Sequence, residues 1–205
     1  MYFHSISRRT AISILVAMMI MAIISFSLPR HDQDTSGDNV AGRAGYAQLY
    51  DAFWRADDGT DATLMTATMF TPSLIQSLEQ AGEKTTTEQH ILDEVQHQAT
   101  SEVRFLVTLD SISGGFSDEA ITKSLRGTVN SETVTASSWK PIIGNANVVN
   151  APSGTASQRG IITFRFSQAI DWSKVQRVQL EMKGLLNAKN RSFVWSGAIL
   201  LQATL

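Results

Sequence analysis

Three residues have a spacing that would suit chemistry: His90, Glu94 and His97. On a helix, positions i, i+4 and i+7 project within about 60° of one another. Two imidazoles and a carboxylate on one face are a ligand set for Zn²⁺ or another divalent cation. The apolar residues Ile91, Leu92, Val95 and Ala99 take the opposite face, so the trio is expected to face solvent. An open three-ligand site without supporting groups orients its ligands poorly. The expectation is therefore a solvated helix face, with no metal and no cofactor.

Other chemistry-bearing residues read in the same way. Trp54, Trp139, Trp172 and Trp195 are a candidate sugar platform, because indole faces stack on sugars. In or beside strands of a domain without disulfides, large aromatics fill the core instead. Asp57-Asp58-Gly59-Thr60-Asp61 has the composition of a calcium loop but lacks the distant bidentate Glu, and reads as a turn. Ser111 to Ser117 contains glycines without the Gly-x-Ser-x-Gly spacing of a nucleophile elbow. No catalytic residue is assigned, and the chain is not expected to be an enzyme.

The elements that carry these residues follow a β-rich order. Tyr46 to Trp54 suits a short helix or a bulged strand equally, and Thr63 to Phe70 reads as a strand. Thr71-Pro72 opens a helix that Gly82 ends. Thr86 or Thr87 caps a second helix running to about Ala99. This helical hairpin, at about 72–100, has apolar faces that must cover something. From Glu102 the period changes to two: Val103, Phe105, Val107 and Leu109 mark a buried face, and Arg104 stands on the other, tolerant face. Further strands are predicted at Thr122–Val129, Thr133–Trp139, Gly160–Phe166, Val175–Lys183 and Ser192–Thr204, with a long exposed loop at Asn145–Gln158. The fold class is α+β: an antiparallel β-sandwich with an inserted helical hairpin.

The N-terminus sets the expected location. Arg8 and Arg9 precede twenty uncharged residues, Thr10 to Pro29, a helix of roughly 30 Å and so a membrane thickness. Arginines before the span stay in the cytoplasm, and the chain after it is exported. The small-x-small site Ser25-Phe26-Ser27 is followed by Leu28-Pro29, which disfavours cleavage, so a retained anchor is the reading taken. Ser7-Arg8-Arg9-Thr10-Ala11-Ile12 also has the outline of a twin-arginine signal, with Ala11 where a large apolar residue is usual. The organisation is thus an anchor or signal segment at 1–30, a Gly- and Asp-rich flexible linker at 31–45, and an exported domain at 46–205. The expected location is a bacterial inner membrane, single-pass, with the domain in the periplasm or outside. Cleavage would make the chain secreted.

Composition narrows the partners. After Arg30 the chain carries 14 basic and 19 acidic residues, and an acidic domain repels phosphate backbones, so no nucleic acid is expected. The chain has no cysteine, which excludes disulfides, thiol catalysis, zinc-thiolate sites and a lipidated cysteine.

One layout has a family parallel. Ala67-Thr68, Thr71-Pro72, Leu74, Phe105-Leu106-Val107, the Val175–Met182 strand and Phe193-Val194-Trp195 together resemble a family of uncharacterised bacterial envelope proteins, signal- or lipid-anchored, over roughly residues 62–200. The resemblance implies the strand–helix–helix–strand fold and an envelope location, and nothing about chemistry. The lipid-anchored members carry a cysteine that this chain lacks. The functional expectation is a membrane-tethered, non-enzymatic module that binds an envelope protein. The alternative is a small-ligand or glycan-binding sandwich domain that uses loops such as Asn145–Gln158.

Overall fold

A computed structural model describes residues 37–57, 63–112, 114–142, 156–185 and 188–204. The expected anchor at 10–29 lies outside these residues, as do most of the Asp57–Asp61 turn and positions 145–155 of the expected loop. Among the described residues no helix is long and apolar enough to cross a membrane.

The fold is α+β and contains two antiparallel sheets. The elements run α1 (Gly37–Phe53), β1 (Trp54–Ala56), β2 (Thr63–Phe70), α2 (Pro72–Gln80), α3 (Thr86–Val95), β3 (Glu102–Ser111) and α4 (Asp118–Ser124). They continue with β4 (Leu125–Val129), β5 (Glu132–Thr135), β6 (Ser138–Pro141), β7 (Ala156–Arg165), β8 (Arg177–Met182), β9 (Arg191–Ser196) and α5 (Ala198–Leu201). The first sheet has the order β1-β2-β3-β7-β6 and the second β5-β4-β8-β9.

Alternation on β3 decides the layers. Val103, Phe105, Val107 and Leu109 are buried, and the Phe105 ring lies 5.4 Å from that of Trp195 on β9. That face of the first sheet therefore meets the second sheet. The other face is also covered: Leu106 and its partner Ile161 on β7 are buried there, and the Arg104 guanidinium reaches the Glu94 carbonyl of α3. The end of α3 therefore lies over the outer side of the first sheet, and α1 approaches the same sheet at β2.

Local chemistry explains the hairpin. Thr71 Oγ1 accepts from Leu74 N at 3.3 Å, and Pro72 takes the first turn, where its missing N–H costs nothing. The second cap is Thr85, not Thr86 or Thr87. Thr85 and Glu88 form a reciprocal capping box, which only a threonine three residues before the glutamate completes. The helix stops at Val95, short of Ala99. The Gln98 amide group donates to the Glu102 carbonyl at 2.9 Å, and the Ala99 N–H meets the Glu102 carboxylate at 3.4 Å. Those bonds turn the chain into β3.

The 31–45 linker is corrected from Gly37 onward, where the chain is helical and runs without a break to Phe53. Gly42 serves close packing rather than flexibility: a Cβ there would stand 2.6 Å from the Gln80 carbonyl oxygen of α2. The choice at Tyr46–Trp54 resolves as helix up to Phe53.

Several strand boundaries also differ from the sequence reading. Thr122–Ser124 belong to α4, whose cap is Ser117. The expected strand Thr133–Trp139 is two strands, because the chain crosses from β5 in one sheet to β6 in the other at Ala136-Ser137. The expected strand Ser192–Thr204 ends at Ser196. Gly197 then takes φ 65, and α5 and a 3₁₀ turn bury Leu200 and Ala203. Ala156–Gln158, given to the loop, begin β7.

Candidate functional site

His90 and Glu94 stand one turn apart on α3, while His97 lies beyond the helix end. The i+7 spacing therefore runs past the helix end. Both histidines are exposed, and Glu94 is half-buried with its carboxylate on Lys140 of β6. Among the described residues no group of three or more His, Asp or Glu side chains could hold a metal ion.

The four tryptophans do not share a surface. Trp195 is fully buried, and its indole N–H donates to the Phe53 carbonyl at 2.8 Å. Trp139 packs half-buried against the core, and a Cβ on Gly160 would lie 2.7 Å from its ring. Trp54 is exposed on the edge strand β1, and Trp172 sits in a 3₁₀ turn between β7 and β8. At the Ser111–Ser117 segment, Ser117 caps α4 and Gln158 brackets Phe116, accepting from its N–H at 2.6 Å.

Buried charge is spent on holding layers together. Asp57 and Arg191 form an ion pair with both side chains under one-tenth exposed, which joins β9 of one sheet to the β1–β2 end of the other. Asp57 also accepts from the Met65 N–H at 2.8 Å, and Arg191 donates to the Thr63 carbonyl. Glu102 receives Arg104 at 2.8 Å and Arg165 at 2.9 Å. Burial pushes its carboxyl up, but the hydrogen bonds from Arg165, Arg104 and the Ala99 N–H outweigh that and hold it below the ordinary carboxylate range. Arg43 of α1 meets the capping-box Glu88 at 3.1 Å. Tyr46 beside them is buried, and burial, then Tyr50 and Glu88, drive its phenol pKa upward.

A half-open groove lies where the hairpin meets the β7–β8 connection. Ile75 and Gln76 of α2, Val95 and Gln96 at the end of α3, and Ile170 and Trp172 line it, enclosing about 260 Å³. Backbone bonds place the distant wall: Phe166 N–H donates to Ser101 O and Ile170 N–H to Thr100 O, both at 2.8 Å. The Asp171 carboxylate fixes the turn that carries Trp172. It accepts from the Ser173 N–H at 3.2 Å and pairs with Lys174 at 2.7 Å. The bond from Lys174, joined by those from Ser173, holds the Asp171 carboxyl down, to about 2. Sequence reading singled out Trp172 but missed this groove, because its two walls are some seventy residues apart in the chain. A second depression of about 280 Å³ beside Asn130 and Lys174 is more open and more polar.

Comparison with known proteins found no family model, no curated protein and no solved structure that matches the chain.

Proposed function

We propose that this chain is a membrane-tethered, extracytoplasmic binding module without chemistry of its own, anchored in a bacterial inner membrane through residues 10–29. It receives one large apolar side chain of an envelope protein in the groove between α2, the end of α3 and Trp172. The groove's size carries this reading. About 260 Å³ lies just under the roughly 300–1,000 Å³ of pockets that enclose a small ligand. It suits a single anchor residue of the kind that dominates protein interfaces. An apolar floor of Pro72, Ile75 and Ile170 with a polar rim of Gln76, Gln96, Gln98 and the carboxylate Glu79 fits such an anchor. The apolar span and its flanking charge support the tether. A glycan is the second reading, favoured by Trp172 on the groove wall.

A photo-reactive residue at the exposed Gln76 of the membrane-bound full chain tests the site. The expected result is one cross-linked protein, lost when Gln96→Trp fills the groove. Cross-linking no stronger than from Arg126, on the far sheet, overturns the reading. Oligosaccharide binding abolished by Trp172→Ala favours the glycan instead.

A further inference from the structure

Each sheet ends in two edge strands, and an unprotected edge is a template for another strand. Among the described residues, three of the four edges are blunted. β1 has three residues, β5 has four, and β6 has four that include Lys140 and Pro141. β9 is different. It has six residues, so roughly 20 Å of edge at about 3.3 Å per residue. Its register against β8 is unbroken, without a bulge. Ser192 to Ser196 contain no proline and no charge. Among the described residues no strand pairs with its outer side.

We infer that β9 is an interface strand that pairs antiparallel with β9 of a second copy of this chain. The strand's own sequence chooses that partner. Its exposed residues are Ser192, Val194 and Ser196, with Val194 37 % exposed. This Ser–Val–Ser row reads the same in both directions. A twofold axis through Val194 sets Val194 against Val194 and Ser192 against Ser196. Arg191 then falls opposite Gly197, so no like charges oppose one another. Serine hydroxyls facing across a strand pair hydrogen-bond, and the valine pair leaves water. The contact is isologous and closes as a dimer rather than growing into a fibre. It extends the sheet β5-β4-β8-β9 into an eight-stranded one. This inference is independent of what occupies the groove.

The absence of cysteine makes the test clean. The full chain carrying Val194→Cys is oxidised in its membrane or in detergent and run without reductant. Directly opposed residues in an antiparallel pair lie about 4.5–5.5 Å apart, within disulfide reach. The expected result is a shift from the monomer to the dimer band. Arg126→Cys, in the middle of the same sheet, stays monomeric. In the Val194→Cys background, Ser192→Lys with Ser196→Lys sets lysine against lysine and abolishes the dimer band. Ser192→Lys with Ser196→Glu sets opposite charges together and restores it. Three results overturn the inference: a Val194→Cys band no stronger than that of Arg126→Cys, a dimer indifferent to both charge pairs, or Val194→Cys captured by a different protein.

Discussion

Two carboxylates on the hairpin-facing side of β3 show how neighbours decide what a residue does. Glu102 is given two arginines and an N–H, and its carboxyl is held below the ordinary range. Asp110, eight residues on, moves the opposite way. Burial pushes it up, and its bond with Ser157 and the nearby Arg159 charge only partly offset that. The signs follow from linkage. Glu102, with a depressed folded-state pKa, contributes stability that is present above its unfolded pKa of about 4.3 and is lost as pH falls through the folded value. Asp110, with a raised one, contributes stability that is present below its unfolded pKa and is lost as pH rises through the folded value. Glu102→Gln should therefore cost about 1.5–3 kcal/mol at neutral pH, the usual worth of a hydrogen bond to a charged group. It should also flatten the fall of melting temperature between pH 5 and pH 3, values taken as roughly bracketing the carboxylate range. Asp110→Asn should leave the neutral melting temperature unchanged or raise it. Thermal melts of the two variants across pH check both; an equal effect of the two at neutral pH would refute the assignment.

At the scale of the element, β3 and the hairpin over it are the informative pair. The alternation of Val103, Phe105, Val107 and Leu109 places the inner face correctly, because a period of two is a property of any extended strand. It says nothing about what covers the other face. Arg104, read as tolerant, lies under α3 with bonds to Glu94 and Glu102 and a buried Nε. Phe105→Ala should cost about 3–5 kcal/mol, as for other fully buried aromatics. Arg104→Ala should cost about 1–3 kcal/mol, since it strips charged hydrogen bonds from a half-buried site. Urea titration of both separates the readings: no loss in Arg104→Ala would mean the hairpin does not lie on this face. The glycines carry a related lesson. Gly42, Gly127 and Gly160 each sit where a Cβ would come within 3 Å of a neighbour. In sequence, Gly42 had the look of a flexible linker, because composition does not distinguish freedom from close approach.

For the whole molecule, the Asp57–Arg191 pair ties the two sheets at one end, while Leu200 and Ala203 fill in after β9 ends at Ser196. Breaking a buried pair strands a charge, so Asp57→Ala or Arg191→Ala alone should cost about 3–5 kcal/mol. Replacing both with apolar residues of similar size, Asp57→Leu with Arg191→Met, should recover much of that loss. Denaturant titration of the two singles and the double gives the coupling between them. Additive losses would show that the pair does not act as a unit.

The sequence by itself determined what short-range physics controls. The 3.6 and 2.0 periods located α2, β2 and β3. The Thr-Pro start marked α2, and alternating strands marked an α+β chain with antiparallel sheets. Its apolar span, charge asymmetry and lack of cysteine define the expectations of anchoring and export. The capping box needed only the Thr85–Glu88 spacing, though Thr86 and Thr87 obscured it. Tertiary structure alone decided the rest. Whether Thr133–Trp139 stays in one sheet depends on which strand lies beside each half. α3 ends at Val95, before His97, and the chain turns into β3 with the Ala99 N–H on the Glu102 carboxylate, a contact made across that turn. The groove joins Ile75 to Trp172 across nearly a hundred residues, and no local pattern records such a meeting. The unpaired edge of β9 likewise depends on its standing last in its sheet, a matter of topology rather than of its own sequence.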